Sequence, residues 1–346
     1  MSYDIWNRRY TGSKYKLSDW IVNLIRENCK GNSFCDIFAG TGVMSYSMLN
    51  NITDLYINDF LYSNEVIYKA FFENTLYDIE KLKDIKNIFN HLNAEKLSDN
   101  YSSEWYGNKF FSYNDAKIIG YIRDNIDLLN NEINDKERNI LIASLLYSAD
   151  KAANTVGHYD AYIKGKKIED RFIFDLINPY DTHNKNVFIN RCDANEYARK
   201  LKCDIVYIDP PYNSRQYSRF YHVLENITCW EKPMLYGEAL KPKAQNMSEY
   251  CRSTATQTFK DLINNLKCRY IVVSYNNTYK SKSSSSRNKI TLEEIKNILE
   301  SKGKMQVFSK AHQYFNAGKT EFADHKEFIF IVKVGGSNDS KTKGNI

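Results

Sequence analysis

The chain has 346 residues, 42% of them hydrophobic and 26% charged, and its formal net charge of +6 fits a polyanionic partner without requiring one. Its seven cysteines show neither zinc-ligand spacing nor a disulfide framework, so we expect no metal site and a reducing, cytoplasmic location. No apolar run is long enough to cross a membrane and the first residues do not form a signal peptide, so we expect a globular protein without a membrane anchor.

A strand, a glycine turn and a helix are predicted near the start of the chain. The apolar run 34–38 predicts a buried strand, the turn 39–42 reads Ala-Gly-Thr-Gly, and a helix is predicted over 43–49. The next predicted strand, 55–58, ends at Asp59, about 20 residues beyond the turn. This layout is typical of the first half of a dinucleotide-type fold, in which the acidic residue binds ribose hydroxyls.

The glycine turn and its neighbours favour one kind of cofactor. Gly40 and Gly42 would let the backbone approach a ligand closely, and Asp59 offers acceptors to a ribose diol. The turn lacks the third glycine of the NAD fingerprint, and Asp36 would repel a pyrophosphate but attract the amino group of a methionine moiety. S-adenosylmethionine is therefore the predicted cofactor, although a glycine pair with a nearby aspartate also arises by chance.

The interval 64–186 does not follow strand–helix alternation, and we interpret it as an inserted, largely helical domain. Helix-like periods occupy 66–92, 114–130 and 134–151. The polar and aromatic segment 154–171 follows them, and its composition suits contacts with a nucleic-acid backbone and stacking on bases. A polar surface loop is the alternative. The candidate residues of this segment are His158, Tyr159 and Lys164.

The most informative stretch is the apolar run 205–208 and the tetrad that follows it, Asp209-Pro210-Pro211-Tyr212. The run is short and β-branched, so it predicts a buried parallel strand. The two prolines cannot extend a sheet ladder and hold the chain in an extended path. Asp209 and Tyr212 are thereby fixed at the carboxyl end of a strand, where open α/β sheets bind their ligands.

The tetrad has the groups that methylation of an exocyclic amine requires. The lone pair of the amine must be freed from conjugation, and two acceptors on its hydrogens favour that geometry. An oxygen of Asp209 and the carbonyl of Pro210 can supply them. The ring of Tyr212 can stack on a planar base, which is worth roughly 1–3 kcal/mol. The alternative is a strand-ending turn in which the aspartate caps a helix and the tyrosine packs.

Two arginines, Arg215 and Arg219, follow the tetrad closely. They can clamp a phosphate or fill the gap that a flipped base leaves in a duplex. Solvated surface charge is the alternative interpretation.

The remaining elements complete the predicted sheet. Further strands are predicted at 187–191, 270–275, 305–310 and 326–333, the last two as an antiparallel pair. Thr291 and Glu294 form a predicted capping box at the start of a helix that ends near Gly303. The tail 335–346 is rich in Gly, Ser, Lys and Asn and is predicted to be disordered.

With these motifs, the chain resembles the D12 class, or α-type, of DNA adenine-N6 methyltransferases, which carry Asp-Pro-Pro-Tyr. The stretch DPPYNSRQYSRFYHVLENI (209–227) is similar to the methylases of FokI-like restriction-modification systems. The order of the motifs also matches over nearly the whole chain. NRRYTGSKYKL (7–17) comes first, DIFAGTG (36–42) second, an inserted recognition region third and the tetrad last.

The resemblance implies an α/β fold: a Rossmann-like SAM-dependent methyltransferase sheet built from 1–63 and 187–334, with 64–186 as an inserted target-recognition domain. It implies that the tetrad is catalytic and that Lys14 lies in the cleft near the cofactor or the target. Asp193 would meet the adenine amino group of the cofactor, although it also suits a helix N-cap. The other cofactor contacts that it implies are Tyr10, Asp36, Phe38, Gly40 and Asp59.

The predicted function is therefore site-specific transfer of a methyl group from S-adenosylmethionine to N6 of a flipped-out adenine in double-stranded DNA. We expect either the modification partner of a cognate restriction endonuclease or a solitary methylase, and no metal ion is needed. Two alternatives stay open on the sequence: an RNA adenine-N6 methyltransferase, and a non-catalytic nucleic-acid-binding regulator that retains the cofactor fold.

Overall fold

The predicted strands form one mixed seven-stranded sheet in the computed structural model of the protein, which describes residues 2–165, 167–277, 287–311 and 325–335. The strands are β1 (Ser33–Asp36), β2 (Asp54–Asp59), β3 (Asn186–Arg191), β4 (Ile205–Ile208), β5 (Tyr270–Asn276), β6 (Gly303–Ala311) and β7 (Lys326–Val334). Their order across the sheet is β3-β2-β1-β4-β5-β7-β6, and β7 runs antiparallel to both neighbours. The predicted antiparallel pair and the Rossmann-like α/β class are confirmed.

Twelve α-helices lie within the described residues, and helices cover both faces of the sheet. They are α1 (Ser18–Asn28), α2 (Val43–Met48), α3 (Tyr62–Phe72), α4 (Ile79–Asn90), α5 (Tyr101–Tyr106), α6 (Tyr113–Leu128), α7 (Asp135–Ala152), α8 (Ala194–Lys200), α9 (Tyr217–Phe220), α10 (His222–Cys229), α11 (Ala255–Asn265) and α12 (Leu292–Glu300). Apolar residues of α1, α2 and α3 share one core with the sheet, and those of α8, α11 and α12 share the other.

Strand β4 shows why this sequence forms a central strand. Side chains alternate between the two faces of a strand, so Ile205 and Tyr207 enter one core while Val206 and Ile208 enter the other. All four residues are buried, because β4 pairs in parallel with β1 on one side and with β5 on the other. A continuous apolar run is the pattern expected of a strand that is covered on both faces.

The predicted insertion occupies the crossover from β2 to β3. Its first helix, α3, packs against both of these strands and against α7. The predicted boundary between residues 63 and 64 therefore falls inside a helix that covers the sheet. The assignment of 64–186 to target recognition stays a prediction.

A buried lysine joins helix α7 to helix α3. Nζ of Lys136, on α7, donates to three backbone carbonyls at the end of α3, at 2.8–2.9 Å, those of Lys69, Ala70 and Glu73. The carbonyl of Lys69 also accepts from the backbone N–H of Glu73 at 3.2 Å. The last carbonyls of a helix carry partial negative charge, so a cationic donor there complements the helix dipole. Helices α3 and α7 are thereby held together at one end.

Local predictions near the C-terminal end of the chain can also be compared with the structure. The capping box is confirmed, because the Thr291 hydroxyl accepts from the backbone N–H of Glu294 while the Glu294 carboxylate accepts from that of Thr291. Residues 336–346 of the predicted disordered tail lie outside the described residues. Among the described helices, none combines the length and apolar character needed to span a membrane.

Candidate active site

A cleft lies at the carboxyl ends of β1, β2 and β4, and its volume is about 920 Å³ including the solvent at its opening. This is the edge at which open α/β sheets bind ligands. Most of the residues predicted from the sequence line this one cleft, namely Tyr10, Lys14, Asp36, Phe38, Gly40, Asp59, Asp193, Asp209 and Pro211. Gly42, the buried Pro210 and Tyr212 complete the surrounding turns.

The glycine turn has a backbone conformation that residues with a Cβ atom could adopt only with strain. Gly40 and Gly42 have φ angles of +54° and +79°, which side chains disfavour. A Cβ atom on Gly42 would also lie 2.7 Å from Cδ1 of Ile5. The backbone N–H of Gly40 donates to Oδ2 of Asp59 at 2.8 Å. Asp59 therefore holds the turn against the end of β2, in addition to any role it has with a ligand.

Asp36 is buried with half of its carboxylate unsatisfied. Oδ2 accepts from the backbone N–H and the hydroxyl of Ser45, at 3.2 and 2.9 Å, whereas Oδ1 has no hydrogen-bond partner. Burial, reinforced by the charges of Asp209 and Asp59, raises the pKa of Asp36 to about 7. A cationic group bound beside Oδ1 would compensate this carboxylate.

Asp193 forms the helix N-cap that the sequence also allowed. Its carboxylate accepts from the backbone N–H groups of Asn195 and Glu196, at 2.8 and 3.3 Å. It stands at the start of α8 and lines the cleft, so the cap and a ligand contact are compatible.

Tyr10 belongs to a stack of aromatic rings along one wall. Its ring lies 4.7 Å from that of Tyr221 and 5.3 Å from that of Tyr217. The buried guanidinium of Arg8 covers the rings of Tyr10 and Tyr221, at 5.1 and 5.5 Å from their centroids. Ring stacking and the cation–π contacts stabilise this wall.

The tetrad aspartate is part of a dense polar cluster. Nζ of Lys14 lies 2.9 and 2.8 Å from the two carboxylate oxygens of Asp209 and donates to the hydroxyl of Tyr212 at 2.8 Å. The Tyr212 hydroxyl in turn contacts Oδ1 of Asp209. The two tetrad side chains and a lysine from the N-terminal segment thus form one hydrogen-bonded unit.

Two further residues of the cluster, Glu327 and Ser274, were not found from the sequence. Oε1 of Glu327 lies 3.0 Å from the Tyr212 hydroxyl and accepts from the Ser274 hydroxyl at 2.6 Å. The only sequence signal for Glu327 is a carboxylate near the start of an apolar strand, and nothing in that pattern pairs it with a motif over one hundred residues upstream.

The charges of the cluster act on one another. Burial raises the pKa of Asp209 above its ordinary value, the charge of Lys14 opposes this, and the charge of Glu327 adds to it. Burial would lower the pKa of Lys14, but the two carboxylates outweigh that effect and the pKa is raised. The lysine therefore stays charged, and its charge favours the carboxylate form of Asp209.

Three of the five residues predicted to contact the substrate come together beside the cleft. His158, Arg215 and Arg219 line a shallow depression together with Gln216, which also lines the cleft itself. Tyr159 is fully buried, and its hydroxyl donates to Asp150, so it does not face this surface. Lys164 is exposed and forms an ion pair with Glu238.

Comparison with known proteins identifies the family of this chain. The profile of the family described as D12 class N6 adenine-specific DNA methyltransferase matches residues 10–298. The chain is 31% identical to the type II methyltransferase M.FokI of Planomicrobium okeanokoites over 97% of its own length, and it spans 54% of that relative. It is 29% identical to M.NlaIII of Neisseria lactamica and 30% identical to M.CviAII of Paramecium bursaria Chlorella virus 1, covering 94% of this chain and 98% of the relative in each comparison. The chain belongs to the D12 class of N6-adenine-specific DNA methyltransferases.

Proposed function

We propose that this DNA adenine methyltransferase uses S-adenosylmethionine to methylate N6 of a flipped-out adenine at a specific site in double-stranded DNA, as the modification enzyme of a restriction-modification system. The observation that carries the proposal is that Asp209 and Pro211 line the same cleft as Asp36, Asp59 and Asp193. The acceptor of an amino group and the candidate cofactor residues are thereby brought together.

The cofactor assignment is supported by the unsatisfied carboxylate of Asp36. S-adenosylmethionine supplies an electrophilic methyl group, and its amino acid moiety carries a cationic amino group. That amino group suits Oδ1 of Asp36, which is buried without a partner. Asp59 would accept hydrogen bonds from the ribose hydroxyls and Asp193 one from the adenine amino group, since both residues line the cleft. The left-handed glycine turn leaves room for the backbone to approach the ligand.

The chemical step is assigned to Asp209 and the Pro210 carbonyl. Both would accept hydrogen bonds from the adenine amino group, which localises its lone pair for attack on the methyl carbon. The N–C bond would form as the carbon–sulfur bond breaks, which leaves the thioether S-adenosylhomocysteine, and the methylated N6 would then lose one proton to solvent. No covalent bond to the protein is needed, because the amine is itself the nucleophile. The Tyr212 ring would stack on the base.

DNA binding is assigned to the surface beside the cleft and to the insertion. An adenine within a duplex is out of reach of Asp209, so the base must leave the stack at a cost of a few kcal/mol. Arg215, Arg219 and His158 lie beside the cleft, where phosphates next to the flipped base would pass. Residues 64–186 would read the sequence from the adjoining groove. The relatives named as type II methyltransferases support a role beside a restriction endonuclease.

The proposal is tested by mass spectrometry of nucleosides. Unmethylated genomic DNA and total RNA are each incubated with the protein and S-adenosylmethionine, then digested and analysed. We expect N6-methyladenine in DNA only. Methylation of RNA alone would overturn the substrate assignment, and no methylated base in either would overturn the proposed activity.

A further inference from the structure

Glu327 is a buried carboxylate to which the proposed mechanism gives no role. It is 3% exposed and pairs across the β5–β7 ladder with Asn276. Because β7 runs antiparallel to β5, the start of β7 meets the carboxyl end of β5. That end lies at the edge of the sheet that carries Asp209, since β4 and β5 are parallel neighbours. A residue placed early in β7 therefore reaches the tetrad.

The contacts of Glu327 are with the catalytic cluster. Its Oε1 atom lies 3.0 Å from the Tyr212 hydroxyl and 3.6 Å from Nζ of Lys14, and it accepts from the Ser274 hydroxyl at 2.6 Å. A buried carboxylate is unfavourable in a ladder whose other residues are largely apolar, and an uncharged side chain would suit the fold better. Packing of the sheet thus gives no reason for a carboxylate at this position.

The Tyr212 hydroxyl has one hydrogen and two carboxylate acceptors. Burial, with the charges of Asp209 and Glu327, raises the pKa of Tyr212 well above its ordinary value, so the phenol keeps its hydrogen. When that hydrogen points to Oδ1 of Asp209, it occupies an acceptor position that the adenine amino group needs. When it points to Glu327, the position on Asp209 is free.

We infer that Glu327 is a positioning residue for methyl transfer, which takes the hydroxyl hydrogen of Tyr212 away from Asp209 and so leaves Asp209 free to accept from the adenine amino group. The inference rests on the proposed function of Asp209. Lys14 contributes to both arrangements, because its ammonium donates to Asp209 and to the Tyr212 oxygen while its charge lies near Glu327. Ser274 holds the carboxylate of Glu327 in place.

The test compares two variants of Glu327 with a matched control. Glu327→Ala leaves the Tyr212 hydrogen no acceptor but Asp209, and we expect kcat to fall by about 30–100-fold. Glu327→Gln keeps an acceptor oxygen, and we expect a loss of only about 3–10-fold. The KM for DNA and the Kd for S-adenosylmethionine should stay within about threefold of the wild type, since Glu327 touches neither ligand in the proposal. Asp204→Asn, which removes a carboxylate charge from the opposite edge of the sheet, should leave kcat unchanged.

A double variant tests whether Glu327 acts through the tyrosine hydroxyl. Tyr212→Phe removes the contested hydrogen, so adding Glu327→Ala to it should cost about tenfold less than adding Glu327→Ala to the wild type. Equal losses in both backgrounds would overturn the inference, as would a Glu327→Ala enzyme with wild-type kcat or with its loss confined to KM. If Glu327→Ala does not fold, Glu327→Gln in the two backgrounds decides the same question. The wild-type enzyme is assayed in parallel. If it methylates DNA while the variants do not behave as expected, this inference fails and the proposed function stands.

Discussion

Lys14 and Asp209 form a bidentate ion pair across the cleft, with Nζ 2.9 and 2.8 Å from the two carboxylate oxygens, although 195 residues separate them in the chain. The pair joins the N-terminal segment to the end of β4. The positive charge of Lys14 also offsets the negative charges of the site, because Lys14 contacts Asp209 and lies near Glu327. The behaviour of the site with pH follows from this pair.

Replacing Lys14 by methionine should move the acidic limb of the activity profile to higher pH. The charge of Lys14 lowers the pKa of Asp209 against the effect of burial, so its loss lets that pKa rise. In the proposed mechanism activity requires ionised Asp209, so it should then be lost at a higher pH than in the wild type. Measuring kcat/KM from pH 5 to 9 checks this, with Lys30→Met, an exposed lysine, as the control. An unshifted limb would show that Lys14 does not control Asp209.

Asp36→Asn should stabilise the free protein at alkaline pH. The pKa of Asp36 is about 7 when folded against 3.8 for the free side chain, so the protein binds the proton more tightly when folded. Its contribution to stability is complete below about pH 4 and is lost as pH rises through about 7, at most about 4 kcal/mol. The free energy of unfolding, measured in urea, should fall less between pH 5 and pH 8 for the variant than for the wild type. A parallel decline would contradict the assigned pKa.

The same substitution should weaken cofactor binding. Wild-type affinity for S-adenosylmethionine is expected to increase between pH 6 and 8, as Asp36 ionises and can pair with the cationic amino group. The asparagine variant should bind about tenfold more weakly at pH 8, with little dependence on pH. Calorimetric titration measures both, and wild-type affinity that is flat with pH would remove Asp36 from the cofactor site.

Gly42→Ala should destabilise the protein more than Gly237→Ala. Both glycines have φ in the left-handed region, +79° and +68°, so both substitutions strain the backbone by about 1 kcal/mol. A Cβ at position 42 would also meet Cδ1 of Ile5 at 2.7 Å, whereas one at 237 meets nothing within 4 Å. Urea unfolding of the two variants isolates the cost of crowding. Equal losses would mean that Ile5 moves away freely.

Arg215→Ala should weaken DNA binding uniformly across sequences and lower its dependence on salt. Each phosphate contact releases a counterion, so the slope of log Kd against log salt should fall by about 1. Binding of S-adenosylmethionine should not change. Lys260→Ala, an exposed lysine on α11, is the matched control. An unchanged slope would show that Arg215 does not meet a phosphate.

The centre of the sheet was predictable from the sequence because β1, β4 and β5 are buried on both faces and the turns after β1 and β4 carry glycine and proline. The run 66–92 shows a limit of periodicity, since it contains two helices, α3 and α4, with an interruption that the apolar pattern does not mark. The motifs located Asp36, Asp59 and Asp209, because each follows or ends a parallel strand.

Other parts of the site depend on tertiary contacts that leave no local pattern. Glu327 reaches the cluster because β7 lies next to β5 and runs antiparallel to it, and the sequence does not show that these two strands become neighbours. Tyr159 lies in a polar segment whose composition predicts surface exposure. Its side chain is nevertheless buried and forms a hydrogen bond to Asp150. The insertion shows the same dependence, since Lys136 fastens α7 to α3 through backbone carbonyls that no sequence motif identifies.

The proposed mechanism depends on Asp209 accepting a hydrogen bond from the adenine amino group during methyl transfer. The most direct measurement is the single-turnover rate of methyl transfer to DNA by Asp209→Ala, with binding of DNA and S-adenosylmethionine measured on the same preparation. Both ligands should bind within about threefold of the wild type, while the rate should fall by about a hundredfold or more. Near-normal transfer by a variant that binds both ligands would contradict it.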